Sequence, residues 1–551
     1  MDQSVFEDLF ERWKSRELKY QKNNKRKYLH FDKFIQFHKN IQVFKSYFKN
    51  SLDNVSKHGF YPLIKADIVS PRIKHEKNPL TGKTKVIKKK KIRPISYASH
   101  FDSFVYSWYS TVLTYFYEKK IFDLKIDSCV LAYLEKGKSN IHFAHEVFEF
   151  VKKLFSENGN CVALAFDLSS FFDGLDHSIL KEKWCKILDI TDGRLPKDHF
   201  AIYKSVTDYT FVIKEELETR FPIPVGKGFR MERICNPKQF REVIIKEGLL
   251  ERNSNYNKIC DSKKYGTKCG IPQGSPISAC LSNIYMIDFD CLLNEEVKSR
   301  DAIYRRYCDD LIAICKTEDW EYFELLITNS IKEYQVVVNK EKTEKTFFKK
   351  NLKDEIRGYN KDGKYRNLQY LGFEFNGQNT YIRSSSMSRY SNRMSSKIDQ
   401  AIHDAGDADF GQQDFIFRKK LLQRFTQRGS RNFITYAKRA SDEIMRSKTV
   451  NNQVKNSVEK VERLIRAKTV EGKKQNQRAQ KKQKKMKGKS IFSKGDANKI
   501  KKLIKLKLVS DSSTQKELRN EIRALGFYMT DFSNKKKYTV EDFEKYTTVE
   551  D

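Results

Sequence analysis

The chain has 551 residues, and its 107 Lys and Arg against 71 Asp and Glu give a formal net charge of +36. That length allows a sizeable core and roughly three or four domains, and the surplus of positive charge raises a field that draws phosphate backbones. The opening MDQSVFEDLFERWKSREL carries acids and no apolar run, so no signal peptide is expected, and no stretch approaches the roughly 20 apolar residues that span a bilayer.

Residues 1–60 repeat apolar and basic positions at helical spacing, as in FEDLFERW and FDKFIQFHKNIQVFKSYF, and are predicted to form an N-terminal helical region. PRIKHEKNPLTGKTKVIKKKKIRPI then reads as a hairpin with a basic tip, and residues 101–155 return to helical periodicity. The bounded apolar run CVALAFDL (161–168) predicts a buried strand. A polar, turn-rich region covers about 183–265. CGIPQGSPIS leads as a loop into the helix SACLSNIYMIDFDCLL, and AIYRRYCDDLIAIC places two β-rich runs around an acidic turn. A helix and a strand follow through 338, and LQYLGFEFNG predicts a further hairpin. Beyond 385 the pattern is helical and basic. Residues 467–490 are low-complexity and Lys-rich, a solvated linker, and 491–551 form a small terminal unit. The ten cysteines include no CxxC pair and no ligand-like spacing with His, which speaks against zinc. With no secretion signal, reduced thiols and a cytoplasmic location are expected.

Phosphoryl transfer to a 3′-hydroxyl uses two divalent cations that bracket the attacking and leaving oxygens. Hard cations want carboxylate oxygens, and Mg²⁺ takes only a few because it keeps waters and substrate phosphates. Such carboxylates belong where the backbone fixes their direction. Asp167 ends the apolar run VALAF, and Asp309 and Asp310 sit on the turn of YRRYCDDLIAIC. Taken singly, each has a plainer reading: an acidic pair is often just a turn, and an Asp after a strand is often a helix cap. Their order and apolar frames point to one cavity.

The ordered blocks KIRPIS (91–96), FDLSSFFDGLDH (166–177), GIPQGSPISACLSNIY (270–285), YCDD (307–310), NKEKT (339–343) and LGF (371–373) resemble the motif series of reverse transcriptases. In flavour they are most similar to bacterial retron, group II intron and defence-associated (abortive-infection type) enzymes. The resemblance implies an α+β right-hand polymerase fold, with fingers and palm over 61–380, a helical thumb over 381–466, the linker and the C-terminal extension. It also implies two Mg²⁺ ions, with Mn²⁺ as a substitute, held by Asp167, Asp309, Asp310 and the Leu168 carbonyl. Arg93 would lie against the incoming triphosphate, where a guanidinium bonds phosphate as a fork. Phe172, five residues after Asp167, matches the gate that excludes a 2′-hydroxyl. Gln273 sits in a Pro–Gln–Gly turn that lets backbone approach the nucleotide, and Lys342 is a candidate general acid for the leaving pyrophosphate. His177 reads as a structural hydrogen-bonder and Cys308 as packing.

The implied partners are an RNA template, specifically a structured non-coding RNA, with dNTPs, a DNA product and a second copy of the chain. Neither the retron-type NAxxH signature nor an HNH nuclease pattern is present, which leaves antiviral defence as the expected setting. A template-independent terminal transferase on the same palm and a maturase-like splicing factor are the alternatives.

Overall fold

The computed structural model describes residues 2–22, 28–77, 84–134, 136–223, 232–253, 268–406, 418–468, 490–509 and 547–550. Residues 469–489 of the linker expected at 467–490, and the greater part of 491–551, lie outside the described residues. The chain divides into two units, Met1–Arg383 with Asp442–Thr449, and Ser384–Ser441 with Val450–Asp551.

In the first unit, the helices α1 (Gln3–Lys22), α2 (Ile41–Lys49) and α3 (Ser51–Asn54) lead to the long antiparallel pair β1 (Leu63–Lys77) and β2 (Thr84–Tyr97). The hairpin tip, 78–83, lies outside the described residues. Helices α4 (His100–Asp123) and α5 (Asn140–Asn158) precede the strand β3 (Cys161–Ser169). The helical periodicity expected over 101–155 is realised as these two helices, and the described residues between them, 124–134 and 136–139, are not helical. Within that break, the Arg306 amide donates to the Cys129 carbonyl (2.8 Å), and the Leu131 amide donates to the Arg306 carbonyl (2.9 Å). Then come α6 (Phe171–Gly174), α7 (His177–Ile187), α8 (Lys197–Thr207), β4 (Thr210–Ile213), α9 (Lys214–Arg220), α10 (Pro237–Gln239) and β5 (Glu251–Arg252). The polar 183–265 region is therefore largely built on short amphipathic helices where it is described.

Next are α11 (Ser278–Tyr285), α12 (Ile287–Ser299), β6 (Ile303–Tyr307), β7 (Asp310–Cys315), α13 (Trp320–Glu333), β8 (Val337–Val338), β9 (Glu344–Lys350) and β10 (Ile356–Tyr359). A small three-stranded sheet, β11 (Leu368–Tyr370), β12 (Phe373–Phe375) and β13 (Thr380–Ile382), closes the unit. The LQYLGFEFNG hairpin is its β11–β12 pair. Two larger sheets do the positioning: one in the order β2-β1-β4-β5, the other β10-β9-β3-β7-β6, with β8 also on β3. β3 sits centrally, and Cys161 to Leu164 are all buried, as expected of a strand covered on both faces. Residues 1–60 share this unit's core. Trp13 packs edge-on against Phe37 and Phe48, and its indole donates to Ser107 Oγ at 3.1 Å.

The second unit is mainly helical: α14 (Ser384–Gly406), α15 (Arg418–Phe425), α16 (Phe433–Arg439), α17 (Lys448–Val454, which begins in the first unit), a helix over 457–468 and a helix Lys494–Val509, with β14 (Ser490–Ser493) paired parallel to β15 (Thr547–Glu550). Tyr390, Met394 and Ile398 recur at i, i+4, i+8 on α14 and are buried. The Tyr390 ring stacks on Phe433 and its hydroxyl donates to the Phe425 carbonyl at 2.6 Å. Among the described residues no helix is long and apolar enough to cross a membrane, and the nine described cysteines are free thiols.

Candidate active site

The three aspartates meet at one end of the central sheet. β3 and β7 run antiparallel with Asp167 opposite Asp310, so the strand end and the hairpin turn present their acids side by side. The β6–β7 turn has two residues, Cys308 and Asp309, between the paired Tyr307 and Asp310. Cys308 takes φ 59°, the positive value that a tight hairpin needs at its first loop position. Its side chain is buried, which fits the packing role. Backbone bonds lock the strand end on both sides: the Leu168 amide donates to the Asp309 carbonyl (3.1 Å) and the Asn339 amide to the Asp167 carbonyl (2.8 Å).

The electrostatics follow from that convergence. Partial burial, then the neighbouring Asp309 and Asp167 charges, push the Asp310 carboxyl up to about 6, against the opposing pull of Arg383 and Lys342. The Lys342 ammonium lies directly against the Asp167 carboxylate. Lys345, by contrast, is tied to Glu324 and sits over the Trp320 ring. Among the described residues no trio of His, Cys, Asp or Glu side chains is arranged as a ready cage for a metal ion. The donor chemistry nevertheless fits magnesium, which is typically bound by one or two carboxylates plus substrate phosphates and water. Asp167, Asp309 and Asp310 would hold it.

The other predicted residues gather at two neighbouring joints. In the first, the Ile271 amide donates to the Phe172 carbonyl (2.9 Å) and the Gly270 amide to the Leu175 carbonyl (2.8 Å). The GIPQG segment is thereby stitched to the turn that follows β3. Phe171 is buried and Phe172 half-buried beside it, ring centroids 5.7 Å apart. His177 caps the same joint, its Nε2 bonding the Gly270 carbonyl at 2.8 Å, and burial lowers its pKa. It is structural, as expected. Asp176 accepts the Ser178 and Ile179 amides at 2.8 and 3.0 Å and starts α7.

In the second joint, the Ser96 amide on β2 donates to the Gln273 carbonyl at 2.8 Å. Gly274 has φ +114°, and a Cβ there would meet Ile95 Cγ2 at 2.7 Å and the Ser96 carbonyl at 3.0 Å. Only glycine permits this approach. Arg93, two residues before Ile95 on β2, has an exposed side chain.

One buried cluster escaped the sequence reading. Arg306, fully buried on β6, donates from Nε and Nη2 to Asp290 (2.9 and 2.6 Å) and from Nη1 to Asn283 Oδ1 (3.0 Å). Tyr304 donates to the same Asp290 at 2.9 Å. The signal was the strand period: in Tyr304-Arg305-Arg306-Tyr307 one of the two arginines must face inward.

Residues 229–375 match the protein family described as Reverse transcriptase (RNA-dependent DNA polymerase). That span holds the GIPQG loop, the YCDD turn and Lys342, while Asp167 lies ahead of it. No curated protein gives a significant match to the sequence. Similar solved structures include an apo telomerase from Candida tropicalis truncated from the C-terminal domain. It shares 15% identity over 62% of this chain and 60% of that one, with a TM-score of 0.36. A Candida albicans telomerase in complex with a fragment of telomeric RNA shares 12% identity over 92% of this chain and 74% of that one, TM-score 0.34. The chain thus spans less than two thirds of the length of the first of these telomerases. Residues 229–375 are thus similar to a reverse transcriptase domain, set in a unit of mixed helix and sheet.

Proposed function

We propose that the chain is an RNA-directed DNA polymerase of the bacterial type, which extends a 3′-hydroxyl with deoxynucleotides by two-metal phosphoryl transfer. The observation that carries this reading is the register pairing of Asp167 with Asp310, with the Asp309 carbonyl tied to Leu168. When bound, two divalent cations supply activation of the attacking oxygen and neutralisation of the developing charge. Asp167, Asp309, Asp310 and the Leu168 carbonyl would hold those ions at the sheet end. Gln273 and the glycine after it seat the incoming base and sugar, and Arg93 binds the triphosphate tail. The Phe172 ring lies under the sugar and excludes a 2′-hydroxyl. Lys342 holds Asp167 before substrate arrives and then protonates the pyrophosphate.

The biological setting in this proposal is antiviral defence in the cytoplasm, through DNA copied from a dedicated structured RNA. The +36 net charge supports an RNA partner. The test is primer extension with purified protein. Asp309→Asn and Asp167→Asn are expected to reduce nucleotide addition by about a hundred- to a thousandfold while circular dichroism and RNA affinity stay unchanged. Extension by either variant at the wild-type rate would remove the assignment. Phage challenge of hosts carrying the wild-type gene or Asp309→Asn tests the setting, and equal plaquing on both would refute it.

A further inference from the structure

The most distinctive surface away from the acids is a groove of about 710 Å³ in the first unit, between α8 and the segment leading into β1. One face of α8 forms a wall. Lys197, Phe200, Ala201, Lys204 and Ser205 line it at i, i+3, i+4, i+7 and i+8, while Asp198, Ile202 and Val206 on the opposite face are buried. An amphipathic helix explains the buried side. It does not require an exposed phenylalanine between two lysines on the other.

Phe200 is 42% exposed, and Tyr61 on the facing wall is 38% exposed. Lys197 and Lys204 make no ion pair among the described residues. Lys57 and Arg252 add two more cations, partnered by Asp53 at 3.6 Å and Asp208 at 3.4 Å. The groove lining therefore holds four Lys and Arg against the single acid Asp208. The wall opposite α8 is held from beneath: buried Asp102 accepts the Tyr61 amide at 2.9 Å and bonds His58 Nε2 at 2.7 Å. The Phe60 ring stacks on Tyr106 in the floor, centroids 5.4 Å apart.

We infer that this groove binds single-stranded RNA, with phosphates on Lys197 and Lys204 and bases stacked on Phe200 and Tyr61. Cations along a groove track a backbone, and exposed rings take base faces without regard to sequence. A duplex keeps its bases stacked inside and offers none to these rings, whereas an unpaired strand does. None of Asp167, Asp309 and Asp310, nor Arg93 or Gln273, lines the groove, so it would hold RNA outside the point of chemistry. The inference deepens the proposed function and rests on that reading for the choice of RNA.

The experiment measures binding of the full chain to an oligouridylate across a salt series, alongside extension on a template that ends just ahead of the primer. Lys197→Glu/Lys204→Glu is expected to weaken oligouridylate binding by about tenfold or more, and to flatten the log–log salt slope by about 1.4, two contacts at ~0.7 each. Phe200→Ala is expected to weaken binding by about tenfold with the slope unchanged. Extension on the short template is expected to stay at the wild-type rate in both. If circular dichroism shows that the charge reversal unfolds, Lys197→Gln/Lys204→Gln is read by the same criteria, with a slope change of the same size. Unchanged affinity and slope would overturn the inference. Tighter binding of oligothymidylate, lost in the same variants, would overturn the assignment to RNA. Loss of extension along with binding would make the groove part of the polymerase site and overturn its separateness. A wild-type protein that extends nothing refutes the proposed activity, while the oligouridylate titrations still decide the groove.

Discussion

At the scale of single residues, Phe172 is the sharpest case. Its backbone is pinned by the Ile271 amide and its ring is half-buried against Phe171, so truncation removes ring volume without moving the turn. Phe172→Ala is expected to raise ribonucleotide use relative to deoxynucleotide use by about tenfold or more. Side-by-side single-nucleotide incorporation measures this, and unchanged discrimination would move the gate elsewhere. The placement of Asp167 and Asp309 at one end of the sheet was legible in the sequence because a short apolar strand and a tight turn leave few ways to place them. The contact between Lys342 and Asp167 was not legible. It joins residues 175 positions apart, and Lys340, Lys342 and Lys345 look alike until Glu324 and Trp320 claim Lys345.

The scale of elements explains why the acids hold their direction. The β6–β7 hairpin carries two of them, and it is anchored from below by Arg306 bonded to Asp290 on α12 and to Asn283 on α11. Removing one partner of a buried ion pair strands the other's charge. Arg306→Met is expected to cost about 3–5 kcal/mol of stability, and Arg306→Met/Asp290→Leu to recover part of it. Chemical denaturation of both variants measures the difference, and a single variant as stable as wild type would show that the pair is dispensable. The hairpins and the central strand were read correctly because period-two alternation and bounded apolar runs are local signals. The helices between 183 and 253 were not, because their apolar faces, such as Ile202 and Val206 on α8, are narrow and set among polar residues. Their burial is decided by tertiary packing.

At the scale of the whole molecule, acid stability follows from histidines enclosed in the first unit. Burial drives His30 down to about 3 from an ordinary 6.5, and burial lowers His177 and His199 as well. The unfolded chain then binds protons that the folded chain refuses, so stability is present in full above about 6.5 and is lost as pH falls toward 3. The slope from His30 alone approaches ~1.4 kcal/mol per pH unit in that window. His30→Gln is expected to flatten the fall in melting temperature between those limits, and an unaltered acid limb would exclude His30 as its source.

The Arg306 anchor has a further consequence for motion. Because one guanidinium grips both the helix after the GIPQG loop and the helix beyond it, while its own backbone pairs with Cys129 and Leu131, β6 cannot open without pulling on three other segments. Amide hydrogen exchange in β3, β6 and β7 is therefore expected to proceed only through global unfolding, with one shared free energy. In Arg306→Met the β6 and β7 amides should exchange by a separate, faster local opening, which exchange mass spectrometry resolves strand by strand; persistence of one common rate would show that the sheet is cooperative without the anchor.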